Sequence, residues 1–192
     1  MKLAKIIPPP NDQRDDAAWL ESNFKIAGNS QCQGNLRDDM IRAIAMEFNI
    51  VELQTINTFN YYSMFSAYMK DVKNIHVSRL DLMSFQNHNW FMNTLFEKYD
   101  LPVKVITKSS QIKISEIKES IEKTNRIVGL HGYFTPSGHA IRINGFDDKS
   151  LDVNDPYGFH PYKEIKKGGR FVYSNEKIMS VKPYRLVTLE DI

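Results

Sequence analysis

Three side chains in this sequence can together attack a carbonyl carbon: the lone cysteine Cys32, His139 and Asp155. A thiolate is a strong nucleophile. An imidazole can take its proton and later return it to a leaving group, and a carboxylate beside the imidazole fixes the tautomer and stabilises the charged ring. Such a set performs acyl transfer, and hydrolysis of an amide through a thioester is its simplest outcome. Whether the three residues meet depends on the elements that carry them.

One hairpin positions His139 and Asp155. Residues 139–145 and 150–155 are two apolar/polar alternations, and Phe146 to Lys149 breaks them with Asp147 and Asp148. A turn centred near 148 gives paired residues an index sum of about 296, so His139 faces residues near 155 to 157. His139, Ile141 and Ile143 share one face of the first strand, and Leu151, Val153 and Asp155 share one face of the second. The apolar members mark that face as inward. Gly138 lets a substrate backbone approach the histidine. Asp155-Pro156-Tyr157-Gly158 ends the second strand abruptly and places the carboxylate at a rim.

Cys32 lies far upstream. Leu36, Met40, Ala43, Ile44 and Phe48 recur at helical spacing and predict a helix over residues 33–48, with Cys32 at or just before its start. Asp38 and Asp39 then fall in its first two turns, where the dipole tolerates acid. A helix N-terminus favours the thiolate. The flanking Asn29-Ser30-Gln31 and Gln33-Gly34-Asn35 are polar or small, unlike the packing around an inert buried cysteine. In this scheme the backbone amide of Cys32 donates to the developing oxyanion, and Gln13, in a polar loop upstream, is the candidate second donor.

Further elements complete the frame. Pro8, Pro9 and Pro10 keep residues 1–12 extended, and residues 11–31 read as an irregular loop. A second helix is expected over 52–70. A third carries Phe85, Phe91, Met92, Leu95, Phe96 and Tyr99, with Ser84 as its cap and Pro102 ending it. Residues 103–107 read as a strand, Ile114, Ile117 and Ile121 mark a short amphipathic helix, and strands begin again at 127–134. Helices first and strands last predict an α+β fold, in which an N-terminal helical half bearing the nucleophile packs on a C-terminal antiparallel sheet. The reading is one domain over residues 1–192, with a catalytic core of about 11–165.

Composition narrows the classes. Net charge is +2 with no dense basic run, which argues against nucleic-acid binding. One cysteine cannot form an internal disulfide, and no stretch reaches the roughly 18 apolar residues of a spanning helix. The first apolar run is too short for a signal peptide, so synthesis in the cytoplasm is expected, and action at a cell wall would require release by another factor. His76, His88, His131 and His160 show no zinc spacing, and the acids near Asp147, Asp148 and Asp152 do not match a calcium loop. No metal or cofactor is expected. His131 reads as a satisfied core or rim residue and Trp90 as core. Trp19 and His160, with Gly138, are the candidate substrate contacts.

These residues carry a resemblance. The sequence resembles the papain-like cysteine peptidases, in particular the branch similar to bacteriocin leader peptidases. Gly138-His139, Gly145-Phe146-Asp147 and Asp155-Pro156-Tyr157-Gly158 match its late motif, and Gln13-Arg14-Asp15-Asp16 takes the place of its early glutamine segment. The resemblance covers about residues 11–165. After the cysteine the family usually has small residues, whereas Gln33-Gly-Asn-Leu-Arg-Asp-Asp39 stands here. The resemblance implies a papain-like fold, a Cys-His-Asp triad and a peptide, protein or peptidoglycan stem-peptide substrate, as in phage or bacterial lysins. The alternatives are an acyl-transferring, transglutaminase-like relative and a non-catalytic peptide-binding relative.

Overall fold

The computed structural model describes residues 1–10, 17–18, 28–75, 84–158 and 168–192. The chain opens with a two-residue strand, β1 (Lys2–Leu3), and passes through three helices: α1 (Gly28–Glu47), α2 (Thr58–Asp71) and α3 (Phe85–Lys98). The second half holds β2 (Val103–Ser109), α4 (Ile114–Thr124), β3 (Val128–Gly132), β4 (His139–Phe146) and β5 (Ser150–Asp155). It ends with β6 (Gly169–Ser174), the short helix α5 (Asn175–Ser180) and β7 (Arg185–Asp191). The described strands form one antiparallel sheet in the order β2-β7-β3-β4-β5-β6, and β1 pairs with the far end of β4. This is the expected α+β arrangement of an N-terminal helical half on a C-terminal antiparallel sheet. Residues beyond 165 supply β6 and β7, and β7 lies inside the sheet between β2 and β3.

Local chemistry sets the element boundaries. Ser84 caps α3 by accepting the amide of Asn87, as its position implies. The helix expected over 52–70 is interrupted: Val51–Leu53 forms a single 3-10 turn, and Asn57 accepts the amide of Asn60, so that α2 starts only at Thr58. Helix α1 begins at Gly28, earlier than residue 33, and Cys32 is its fifth residue rather than its first. The polar residues at its start carry no apolar periodicity, which is why the pattern becomes visible only from Leu36 onward.

The hairpin register follows the turn. Arg142 pairs with Asn154 and Ile143 with Val153, both with index sums of 296, and a bulge before Gly145 shifts the remaining pairs by one. Asp147 Oδ1 closes the turn by accepting the amides of Lys149 and Ser150 and the hydroxyl of Ser150.

Both faces of this hairpin are buried, which the alternation does not reveal. Ile141, Ile143, Leu151 and Val153 enter an apolar cluster with Ile117, Ile121 and Ile178 from α4 and α5. The polar members turn the other way, against α1. There Arg142 pairs with Asp39 at 2.8 Å, Asn154 reaches Asp39 at 3.4 Å, and Asn144 donates to Asp152 at 2.8 Å. Asp39 also pairs with Arg42, and Asp38 accepts from Thr58 Oγ1. Asp38 and Asp39 are thus buried partners of a polar interface and do not serve the helix dipole. Removing one member of such a network leaves an uncompensated buried charge, at a cost of about 3–5 kcal/mol. The larger apolar cluster lies on the same side as α1. It joins α1, α2 and α3 to Val103, Val105, Val187 and Leu189 of the sheet. Trp90 does not belong to it. The indole is 41% exposed, with Lys73 Nζ 4.4 Å above its ring, because it occupies the solvent side of α3.

Candidate active site

His139 is the first residue of β4 and pairs with Gly132, the last residue of β3, so it stands at the end of the sheet. Its Nε2 lies 2.8 Å from Asp155 Oδ1 at the end of β5. Its ring also hydrogen-bonds Cys32. With Nε2 committed to the carboxylate, Nδ1 is the nitrogen left for the sulfur. All three residues are buried. By strand alternation His139 and Asp155 share the face of Ile141 and Val153, whereas Cys32 belongs to the cluster on the opposite face. They meet where the sheet ends.

A close approach of helix and strand brings Cys32 to this place. A Cβ on Gly129 would lie 2.5 Å from Leu36 Cδ2 and 3.0 Å from Cδ1, so the bare glycine lets α1 settle directly on β3. Cys32 is one turn before Leu36, on the same helix face, and His131 is two residues after Gly129, on the same strand face. The contact between Leu36 and Gly129 therefore seats Cys32 next to the end of β3.

Asp155 is held by four donors. Besides His139, its Oδ1 accepts the amides of Tyr157 at 3.1 Å and Gly158 at 3.2 Å, and its Oδ2 accepts the Tyr173 hydroxyl at 2.8 Å. Gly158, with φ at 90°, makes the turn that aims these amides back. Burial, followed by the Asp155 charge, raises the Tyr173 pKa well above its ordinary value, so the phenol keeps its proton and acts as a donor. Tyr173 escaped the sequence reading. It comes from β6, where Leu151 pairs with Tyr173, and no local motif ties that strand to the His–Asp hairpin.

The electrostatics favour a charged imidazole. Burial is the largest single influence on His139 and lowers its pKa. Attraction to Cys32, the hydrogen bonds to Asp155 and Cys32, and the Asp155 charge together outweigh burial and raise the pKa to about 10. These influences favour the protonated ring, which is bracketed by sulfur and carboxylate.

A pocket of about 120 Å³ opens on the pair. Cys32, Gln33, Gly138 and His139 line it, together with Ser137, Phe85, His131 and Tyr184. Gly138 has φ at 84°, a left-handed conformation that suits glycine, and Thr135 Oγ1 donates to its carbonyl at 2.8 Å. His131 is not a satisfied core residue: its Nε2 is buried without a hydrogen-bond partner among the described residues. Gln13, Trp19 and His160 lie outside the described residues. Among those described, no cluster of His, Cys, Asp or Glu could hold a metal ion, and no helix is long and apolar enough to cross a membrane.

No protein-family model matches the sequence, and no curated protein matches it. Among solved structures, the chain is similar to a double glycine motif protease from an AMS/PCAT transporter in complex with its leader peptide. That likeness has 10% identity and a TM-score of 0.48, and it covers 83% of this chain and 86% of that one. It is similar to the peptidase domain of Streptococcus ComA, a bifunctional ABC transporter involved in quorum sensing, at 12% identity and a TM-score of 0.42, over 83% and 93%. It is also similar to a periplasmic domain of the EpsAB fusion protein of the Vibrio vulnificus type II secretion system, at 9% identity and a TM-score of 0.35, over 65% and 44%.

Proposed function

We propose that the chain is a cysteine peptidase that hydrolyses amide bonds of a peptide or protein substrate through Cys32, His139 and Asp155. One observation carries this reading: the buried His139 ring bonds to Cys32 on one side and to Asp155 on the other, at the mouth of a pocket. A lone buried thiol in a core has no need of an imidazole, and a structural His–Asp pair has no need of a sulfur or a pocket.

The reaction follows from this geometry. His139 takes the thiol proton, the sulfur attacks the carbonyl carbon, and the carbonyl π pair moves onto oxygen. Collapse of the tetrahedral intermediate breaks the C–N bond, and the imidazolium protonates the leaving amine. His139, now neutral, takes a proton from water, whose oxygen attacks the thioester carbon, and collapse of this second intermediate breaks the C–S bond and frees the sulfur. The carboxylate product leaves and the proton is again on His139. Asp155, fixed by four donors, keeps Nε2–H pointing at itself and Nδ1 toward the sulfur.

The test is incubation of the purified chain with a mixed peptide library and, separately, with peptidoglycan, followed by mass spectrometry of the new termini. Wild type is expected to yield peptide fragments that Cys32→Ala does not. Identical product profiles from the two proteins refute the reading. Fragments from the peptidoglycan arm would assign the substrate to stem peptides.

A further inference from the structure

A thiol hydrolase needs donors for the oxyanion, and the arrangement around Cys32 leaves a place for one. Helix α1 starts four residues before the cysteine, so the Cys32 amide falls within the helix's own i→i−4 ladder and is directed at the Gly28 carbonyl. His131 lies beside it. The ring lines the same pocket as Cys32 and His139, is 3% exposed, and carries a buried Nε2 with no hydrogen-bond partner among the described residues. An unsatisfied buried polar atom is costly and calls for an explanation. His131 also faces the same side of β3 as Gly129, the residue on which Leu36 rests, one helical turn from Cys32.

We infer that His131 is the oxyanion-binding residue of this site, its neutral imidazole donating an N–H to the substrate carbonyl oxygen that Cys32 attacks. The inference rests on Cys32 being an acyl-transfer nucleophile, as proposed above. Its environment keeps the ring neutral: burial, then the charges of Arg37, Arg185, His139 and His88, holds its pKa well below the ordinary histidine value. A neutral imidazole keeps one N–H to donate and places no second cation against the His139 imidazolium. Phe85 and Tyr184 pack edge-on and tilted against the ring, which fixes its plane before substrate arrives.

Two reagents separate this role from a structural one. Acylation by p-nitrophenyl acetate passes through a tetrahedral oxyanion. Alkylation by iodoacetamide displaces iodide at a saturated carbon and forms none. Both use the same sulfur, and Cys32 is the only cysteine. In His131→Phe the acylation rate constant is expected to fall about 10²-fold or more, the loss typical of removing one oxyanion donor, while alkylation stays within about twofold. His131→Gln, which restores an N–H donor, is expected to recover part of the acylation rate. Unchanged acylation in His131→Phe, or parallel loss of both rates in both variants, overturns the assignment and leaves the peptidase reading standing. A wild-type protein that is not acylated at Cys32 overturns both.

Discussion

Replacing Gly129 with alanine tests how closely α1 must sit on β3 for the sulfur to reach the imidazole. The new Cβ would lie 2.5, 3.0 and 3.1 Å from Cδ2, Cδ1 and Cγ of Leu36. Carbon pairs prefer about 3.5–4.0 Å, so the shortest contact must open by about 1 Å. Leu36 is 2% exposed inside the larger apolar cluster and cannot swing into solvent, so its packed side chain, the helix or the strand must yield. Overpacking of this kind costs about 1–3 kcal/mol. A displacement of about 1 Å one turn from the nucleophile is enough to lower turnover about 10²-fold. Leu36→Ala removes all three clashing carbons but alone leaves a cavity worth about 2–5 kcal/mol. The two changes should therefore compensate, and the double mutant should be more stable than additivity predicts by about 1 kcal/mol or more. Denaturant unfolding gives the stability cycle, and the rate of Cys32 acylation gives the functional one. Wild-type activity in Gly129→Ala, or a strictly additive cycle, would refute the argument that this contact seats Cys32.

Other outcomes follow from the same geometry. Asp155→Asn should stay folded, because its amide oxygen can accept from His139, Tyr157 and Gly158 while its amide nitrogen donates to the Tyr173 oxygen. Only the charge is lost, so peptide turnover should fall about 10²- to 10⁴-fold and still exceed that of Asp155→Ala. Tyr173→Phe strips a charge-assisted hydrogen bond worth about 1.5–3 kcal/mol, which should lower Tm by about 4–10 °C in a thermal melt. The two pocket histidines bend the pH–stability curve in opposite directions. The folded-state pKa of His139 is raised to about 10, so its contribution is fully present below about pH 6.5 and drains away as pH climbs toward 10. That of His131 is depressed, so its contribution is present above about pH 6.5 and is lost as pH falls below it. Thermal melts from pH 5 to 10 should therefore show His139→Gln flattening the alkaline limb and His131→Phe the acid limb.

Much of the site was legible because it is local. The Asp147 turn sets the register of the hairpin, and the register sets His139 opposite the end of β5. The capped α3 helix was legible for the same reason: Ser84 and the apolar stripe after it are neighbours in sequence. What escaped depends on contacts across the sheet. Arg142, Asn144, Asp152 and Asn154 alternate with apolar residues as solvent-facing residues do, yet they are buried: Arg142 and Asn154 meet Asp39 of α1, and Asn144 and Asp152 bond each other beside them. Alternation reports a difference between two faces, not which of them meets water. The run Gln33 to Asp39 departs from the small residues expected after the cysteine because it is bonded on two sides: Asp39 pairs with Arg142 of the hairpin, and Asn35 and Asp38 bond Thr58 of α2. Tyr173 and His131 reach the site from strands whose neighbours are fixed only by the whole topology. Trp90 looked like core because large aromatics usually are, and only the packing of α3 shows that its side of the helix faces solvent.

The central claim is that the sulfur touches the imidazole and holds it charged. The direct measurement is the pKa of His139, followed by NMR of its ring proton, in wild type and in Cys32→Ala. Wild type should titrate near pH 10, and removal of the sulfur should bring the value down, because attraction to Cys32 is the largest influence raising it. The same His139 pKa in both proteins would contradict the account.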